Sequence, residues 1–216
     1  MPSSVRAYGP PPRKQMSEDF LRAYRTTIDF WAEEHPALPP LLAIDAHEVS
    51  SPGPVMEDDN VKVTAAIVRH PPVKPALGYR FDFHDRSIAF SGDTSPMQSV
   101  VELAKGCDVL VHEAIYPNPN QGAAVVPPLN GDARVDTGDR RGSAIAGDAQ
   151  KLLAHVLGSH TPVEEAGRIA QEAGVKTLVL AHTVSLMPGV TDGMWIAAAK
   201  KHFSGEVIFA HDLMVL

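Results

Sequence analysis

Residues 61–93 read VKVTAAIVRHPPVKPALGYRFDFHDRSIAFSGD. Val61 to His70 alternates and is rich in β-branched residues, which predicts a strand. Tyr79, Phe81 and Phe83 alternate with Arg80, Asp82 and His84, and past Asp85-Arg86 the chain returns as Ser87 to Ser91, which predicts a hairpin. Downstream the rhythm changes. Ser95-Pro96-Met97-Gln98 has the form of a capping box with Pro at the first helical position, opening a helix that stops at Gly106. Asp108 to His112 is a short apolar strand of the kind buried on both faces. Thr161-Pro162-Val163-Glu164 is a second capping box whose helix ends at Gly174. Thr177 to Ala181 is a further buried strand, Gly193 to Phe203 a last helix, and Glu206 to Leu216 a closing strand pair. Residues 115–148, with Pro, Gly, Asn and Asp and no periodicity, read as a long loop or lid. Upstream, residues 1–15 read as an extended lead-in unable to nucleate a helix. A helix follows from Ser17 as N-cap, with Phe20, Tyr24, Ile28 and Trp31 on one stripe, and ends near His35-Pro36. Trp31 and Trp195 are expected in the core. Strands first, then strand and helix in alternation, predict one α/β domain over residues 1–216 with mixed β-sheets and flanking helices.

The 216 residues hold 19 Lys+Arg against 26 Asp+Glu, a net charge of −7, which excludes a generally basic, polyanion-binding surface. One cysteine, Cys107, excludes an intrachain disulfide and any Cys-based zinc or iron-sulfur site within one chain. Ten histidines leave a His/carboxylate metal site open. No apolar run is long enough for a membrane span, and the first twenty residues show no apolar signal-peptide region, so a membrane partner is not expected.

Four polar positions fall at the C-terminal ends of predicted strands: His70, Asp93, His112-Glu113 and His182. That edge is where open α/β sheets bind ligands, and imidazoles and a carboxylate meeting there suit Zn²⁺, Fe or Mn²⁺. Each residue alone has a plainer reading: a histidine satisfied within the core, or, for Asp93 in Ser-Gly-Asp-Thr, a turn or capping carboxylate.

Taken together, these residues resemble the later part of the metallo-β-lactamase fold in its ribonuclease Z and arylsulfatase-like branch. The resemblance runs through Ala7-Tyr8-Gly9-Pro10, His47-Glu48-Val49, Glu57-Asp58-Asp59, VKVTAAIVRH, IAFSGDTSP, CDVLVHEA, SHTPVEEAGRIA and LVLAH, nearly the whole chain. It implies an αββα sandwich, mainly its C-terminal portion. It implies a dinuclear zinc site, with Mn or Fe as alternatives, in which His70 holds one metal, His182 the other and Asp93 bridges them. A metal-activated hydroxide would attack the ester centre. The same resemblance makes His160, with Glu113, the candidate proton donor to the leaving group. His112 is read as a core residue, and His35, His84, His155, His202 and His211 as surface or locally bonded.

The family's His-x-His-x-Asp-His motif is missing: no His-x-His occurs in the chain. The resemblance therefore implies an N-terminally truncated member. In the turn His84-Asp85-Arg86, some tRNA-processing relatives carry an insertion. With the acidic net charge, this leaves nucleic acid unexpected as a partner. The expected function is metal-dependent hydrolysis of a phospho-, sulfo- or carboxylic ester or a lactone, on a small-molecule substrate, in a cytoplasmic homodimer. The alternative is a catalytically inactive scaffold or dimerisation domain that keeps the back half of the fold.

Overall fold

The computed structural model describes residues 5–35, 43–118 and 155–215. Seven strands form one sheet in sequence order: β3 (Gly53–Glu57), β4 (Val61–His70), β5 (Val73–Phe83), β6 (Ser87–Phe90), β7 (Val109–Tyr116), β8 (Thr177–Ser185) and β9 (Glu206–Phe209). β3 to β6 pair antiparallel and β6 to β9 pair parallel. This is the mixed sheet expected from the change of rhythm after Asp93. A separate parallel pair joins β1 (Val5–Gly9) to β2 (Ile44–Glu48).

Three helices cover one face: α3 (Gln98–Ala104) over β4 to β6, α4 (Val163–Ala173) over β7 and β8, and α5 (Asp192–Ala199) beside β9. Alternation along each strand sends Val68, Ala89, Leu110, Leu178, Leu180 and Val207 into the core beneath them. α4 and α5 pack so closely that a Cβ at Gly167 would overlap the backbone of Ala199, which explains a glycine in mid-helix. Trp195 is buried in this core, as expected. The opposite face carries Val63, Phe81, Ile88, Phe90 and Val111. There Val63 is buried, while Phe83 and Phe90 are each 42% exposed.

Several expectations need correcting. The lead-in is extended where β1 forms over Val5–Gly9, but a helix does start within it, at Arg13, four residues before Ser17. Pro10 to Pro12 end the strand because they donate no N–H, and Pro12 sits at the N-cap, where a missing N–H costs nothing. Ser17 lies inside the helix and its hydroxyl donates to the Arg13 carbonyl. The predicted single helix is two, α1 (Arg13–Ala23) and α2 (Arg25–Glu34), and its apolar stripe is open, with Phe20, Tyr24 and Trp31 about half exposed. Neither capping box forms. The N-caps are Met97 and Pro162, and Thr161 donates its hydroxyl to the Thr94 carbonyl instead. β7 and β8 run beyond their predicted ends, and the closing pair is β9 alone among the described residues. Of the predicted loop, Ile115 and Tyr116 belong to β7, and residues 119–148 lie outside the described residues.

Candidate active site

His70, Glu113 and His182 sit where the sheet breaks its register, while Asp93 lies in the loop after β6 and His160 just ahead of α4. The β4–β5 ladder shifts between Val68 and His70, and Arg69 pairs instead with the loop after β6: its N–H donates to Thr94 Oγ1 and its carbonyl accepts from Ser95 N–H. That cross-tie brings His70 up to Asp93. Gly92 precedes Asp93 at φ +63°, and a Cβ there would stand 2.6 Å from the Leu77 carbonyl oxygen, so the loop needs glycine. In the β7–β8 ladder Glu113 pairs with Ala181 and Ala114 with Thr183, leaving His182 as the extra residue of a bulge. Its φ of 47° is left-handed, rare for a side chain of this size. The bulge turns the imidazole toward Asp93.

Asp93 is the meeting point. Its Oδ2 lies 3.4 Å from His182 Nε2 and 3.9 Å from His70 Nε2. Burial, with a contribution from neighbouring His160, holds the His70 pKa below the usual imidazole range, so its lone pair is free near neutrality. Two imidazoles around one carboxylate oxygen are a donor set that fits Zn²⁺, Mn²⁺ or Fe.

Beneath this trio lies a buried carboxylate. Glu113 Oε1 accepts hydrogen bonds from Thr161 N–H at 2.8 Å and Thr94 N–H at 3.2 Å. Its Oε2 faces His160 Nδ1 at 3.3 Å; neither atom makes a well-aligned hydrogen bond, so each is the other's polar neighbour in a dry setting. The Glu113 carboxylate raises the His160 pKa against the opposing effect of burial. Glu113 is therefore both a backbone-anchored carboxylate and a partner to His160. The His160 ring lies 5.0 Å from that of His70 and 6.2 Å from that of His182, centroid to centroid.

His155, expected at the surface, also belongs here. Its ring lies 5.4 Å from that of His70, and one donor atom each of His70, His155 and His160 fall within 4.8 Å of one another. Nothing in the unpatterned sequence around it signals this placement. Only its i, i+5 spacing from His160, across the helical residues 155–159, could have done so. The other histidines behave as expected. His112 is buried with Nδ1 against the Glu113 carbonyl, His84 bonds the Asp59 carbonyl and His211 pairs with Asp192.

The pattern of the family described as "Beta-lactamase superfamily domain" matches residues 16–183. A curated relative named Ribonuclease Z from Mycobacterium avium is 31% identical over 205 residues, covering 95% of this chain and 64% of the relative. A putative ribonuclease Z from Mycobacterium tuberculosis is 29% identical over 212 residues, covering 98% of this chain and 83% of the relative. Among solved structures, the short form of human tRNase Z superposes with a TM-score of 0.58 at 17% identity, covering 99% of this chain and 68% of that one. A metallo-beta-lactamase fold protein from Bacillus subtilis does so at 0.56 and 20%, covering 96% and 62%. This chain thus spans about two thirds of the length of the relatives it first matches.

Relatives named Ribonuclease Z overturn the expectation that nucleic acid is not a partner. That expectation weighed the charge of the whole chain, whereas a phosphate is bound by the local field of a site, which net charge does not report. With the fold, the site and the matched pattern together on the page, the chain belongs to the beta-lactamase superfamily domain family and shares the metallo-β-lactamase fold.

Proposed function

We propose that this chain carries the later part of a metal-dependent phosphodiesterase site that acts on RNA. The observation that carries the reading is Asp93 Oδ2 held between His70 and His182, with the Glu113–His160 pair behind it. The relatives' names supply the substrate class. His70, Asp93 and His182 would hold the metal, with zinc as the first candidate. When bound, a divalent metal polarises the phosphoryl oxygens and lowers the pKa of a water.

The rest is done by the chain's own residues. Asp93 orients both imidazoles toward one point. Glu113, fixed by two backbone amides, holds the His160 ring in place and stabilises its protonated form, so Nε2–H is available to a leaving oxygen. His160 lies three residues before the first turn of α4, whose unpaired amides favour an anionic group, such as a substrate phosphate, nearby. Cys107 is buried, and burial raises its thiol pKa, so it supplies no nucleophile. A free thiol agrees with a reducing compartment, and we place the protein in the cytoplasm. No described helix is long and apolar enough to cross a membrane.

The test compares wild type, His160→Ala and His182→Ala in cleavage of an RNA substrate and of an aryl phosphodiester. His160→Ala should lower kcat on RNA by roughly 10²–10⁴-fold while the Asp93 centre keeps its metal. The loss should shrink on the nitrophenyl ester, whose leaving group needs little protonation. His182→Ala should lose the metal held at Asp93 and the activity together. Cleavage of the aryl ester alone would return the substrate to a small-molecule ester, and a wild-type chain inert to both would favour the scaffold reading.

A further inference from the structure

His155 has no part in the reaction just described, yet it sits in the wall of the same site. We propose that His155 completes, with His70 and His160, a three-imidazole seat for a borderline divalent cation of the Zn²⁺ type, overlapping the Asp93 centre only through His70. The three donor atoms lie within 4.8 Å of one another. Tetrahedral bonds of 2.0–2.1 Å would place them about 3.3 Å apart, so closure asks for a contraction that side-chain torsions can supply.

Two of the rings have Nδ1 engaged away from the seat. Ser159 donates its hydroxyl to the Pro71 carbonyl, at 3.1 Å, and so must accept from His155 Nδ1, 3.2 Å away. That fixes the proton on Nδ1 and leaves Nε2 bare. His160 is held the same way, Nδ1 toward Glu113, the carboxylate–imidazole arrangement that orients metal-bound histidines. An all-nitrogen donor set favours Zn²⁺, Co²⁺, Ni²⁺ or Cu²⁺ over Mg²⁺ and Ca²⁺. Metal in this seat occupies His160, so excess zinc should suppress any reaction that uses His160 as proton donor. The seat itself goes beyond the RNA-cleavage reading and does not require it.

The experiment is a Co²⁺ titration of the full chain followed by visible absorption, with Zn²⁺ displacement, for wild type, His155→Gln and His182→Ala. Wild type and His182→Ala should both develop tetrahedral cobalt bands with similar midpoints, and His155→Gln should weaken binding at least tenfold. Ser159→Ala, which leaves the ligands in place and frees the His155 ring, should weaken it by about 10- to 100-fold. It serves as the second variant should His155→Gln not fold by circular dichroism. The proposal is overturned if wild type shows no tetrahedral bands, if His182→Ala abolishes them, or if both His155→Gln and Ser159→Ala bind as wild type. Hydrolysis can fail in every variant while the bands persist, which separates this seat from the function proposed above.

Discussion

His182 is held at φ 47° inside a strand that most sequences would keep extended. A left-handed non-glycine residue costs on the order of 1 kcal/mol or more, and such strain persists where the surroundings over-determine it. His182→Gly should therefore leave the metal-free protein as stable or more stable by up to about 1 kcal/mol in urea unfolding, while metal binding at Asp93 falls. A clear loss of metal-free stability would show that the ring is there for packing. Glu113 makes the opposite case. Removing its side chain strands the amides of Thr94 and Thr161 in a dry pocket, so Glu113→Ala should cost about 2–4 kcal/mol. Glu113→Gln keeps an acceptor for both and should cost much less. With Gln the His160 pKa should fall toward its usual value, because its chief upward influence, the Glu113 carboxylate, is gone. A raised imidazole pKa is stabilising at low pH and lost as pH rises through it, so the alkaline limb of the pH–rate profile should move to lower pH in Glu113→Gln.

At the level of elements, one carboxylate ties the start of the parallel sheet. Asp108 accepts from Ser87 N–H and Oγ and from Lys176 Nζ, joining the beginnings of β6, β7 and β8. Lys176 first, then Ser87, pull its pKa down from 3.8 to about 2. A depressed carboxylate stabilises the fold above its unfolded pKa and loses that contribution as pH falls through the folded one. The prediction is that wild type loses stability between about pH 4 and 2, and that Asp108→Asn, weaker at pH 7, loses less over that window in acid-titrated melts. The elements themselves were readable to different degrees. β4 and the β5–β6 hairpin declared themselves through a period of two in β-branched and aromatic residues. β1 did not, because five residues beside three prolines carry no period of their own. The ends of β7 and β8 were hidden for another reason: a bulge restarts the alternation at Glu113 and His182, and a one-residue slip reads as the end of a strand. That His70, Asp93, Glu113, His160 and His182 lie near one another is in keeping with the family resemblance, whose motifs carry all five. His155 was not legible, since its place depends on Pro71 accepting from Ser159, a contact spanning 88 residues.

For the whole molecule, the donor set bounds the metal content. His70 is common to the Asp93 pair and to the His155–His160 pair, so one chain should hold fewer than two tightly bound metals by elemental analysis. The surface makes a demand of its own. Helices cover one face of the sheet, while the other presents Phe81, Phe83, Ile88, Phe90 and Val111 in a continuous apolar block, with Phe83 and Phe90 only partly covered. Aromatic side chains carry roughly 150–250 Å² each, so even this part of the face approaches the largest apolar patch a soluble monomer usually shows. Burying it against a second copy is the simplest relief, because a twofold contact sets the same aromatic block against itself. Light scattering across a dilution series should therefore report a dimer that dissociates on dilution. Phe90→Lys should shift it to monomer without lowering the unfolding midpoint, since the side chain points away from the helix-covered core. A chain that stays monomeric at high concentration, or a Phe90→Lys variant that associates as wild type does, would rule out this face as the contact.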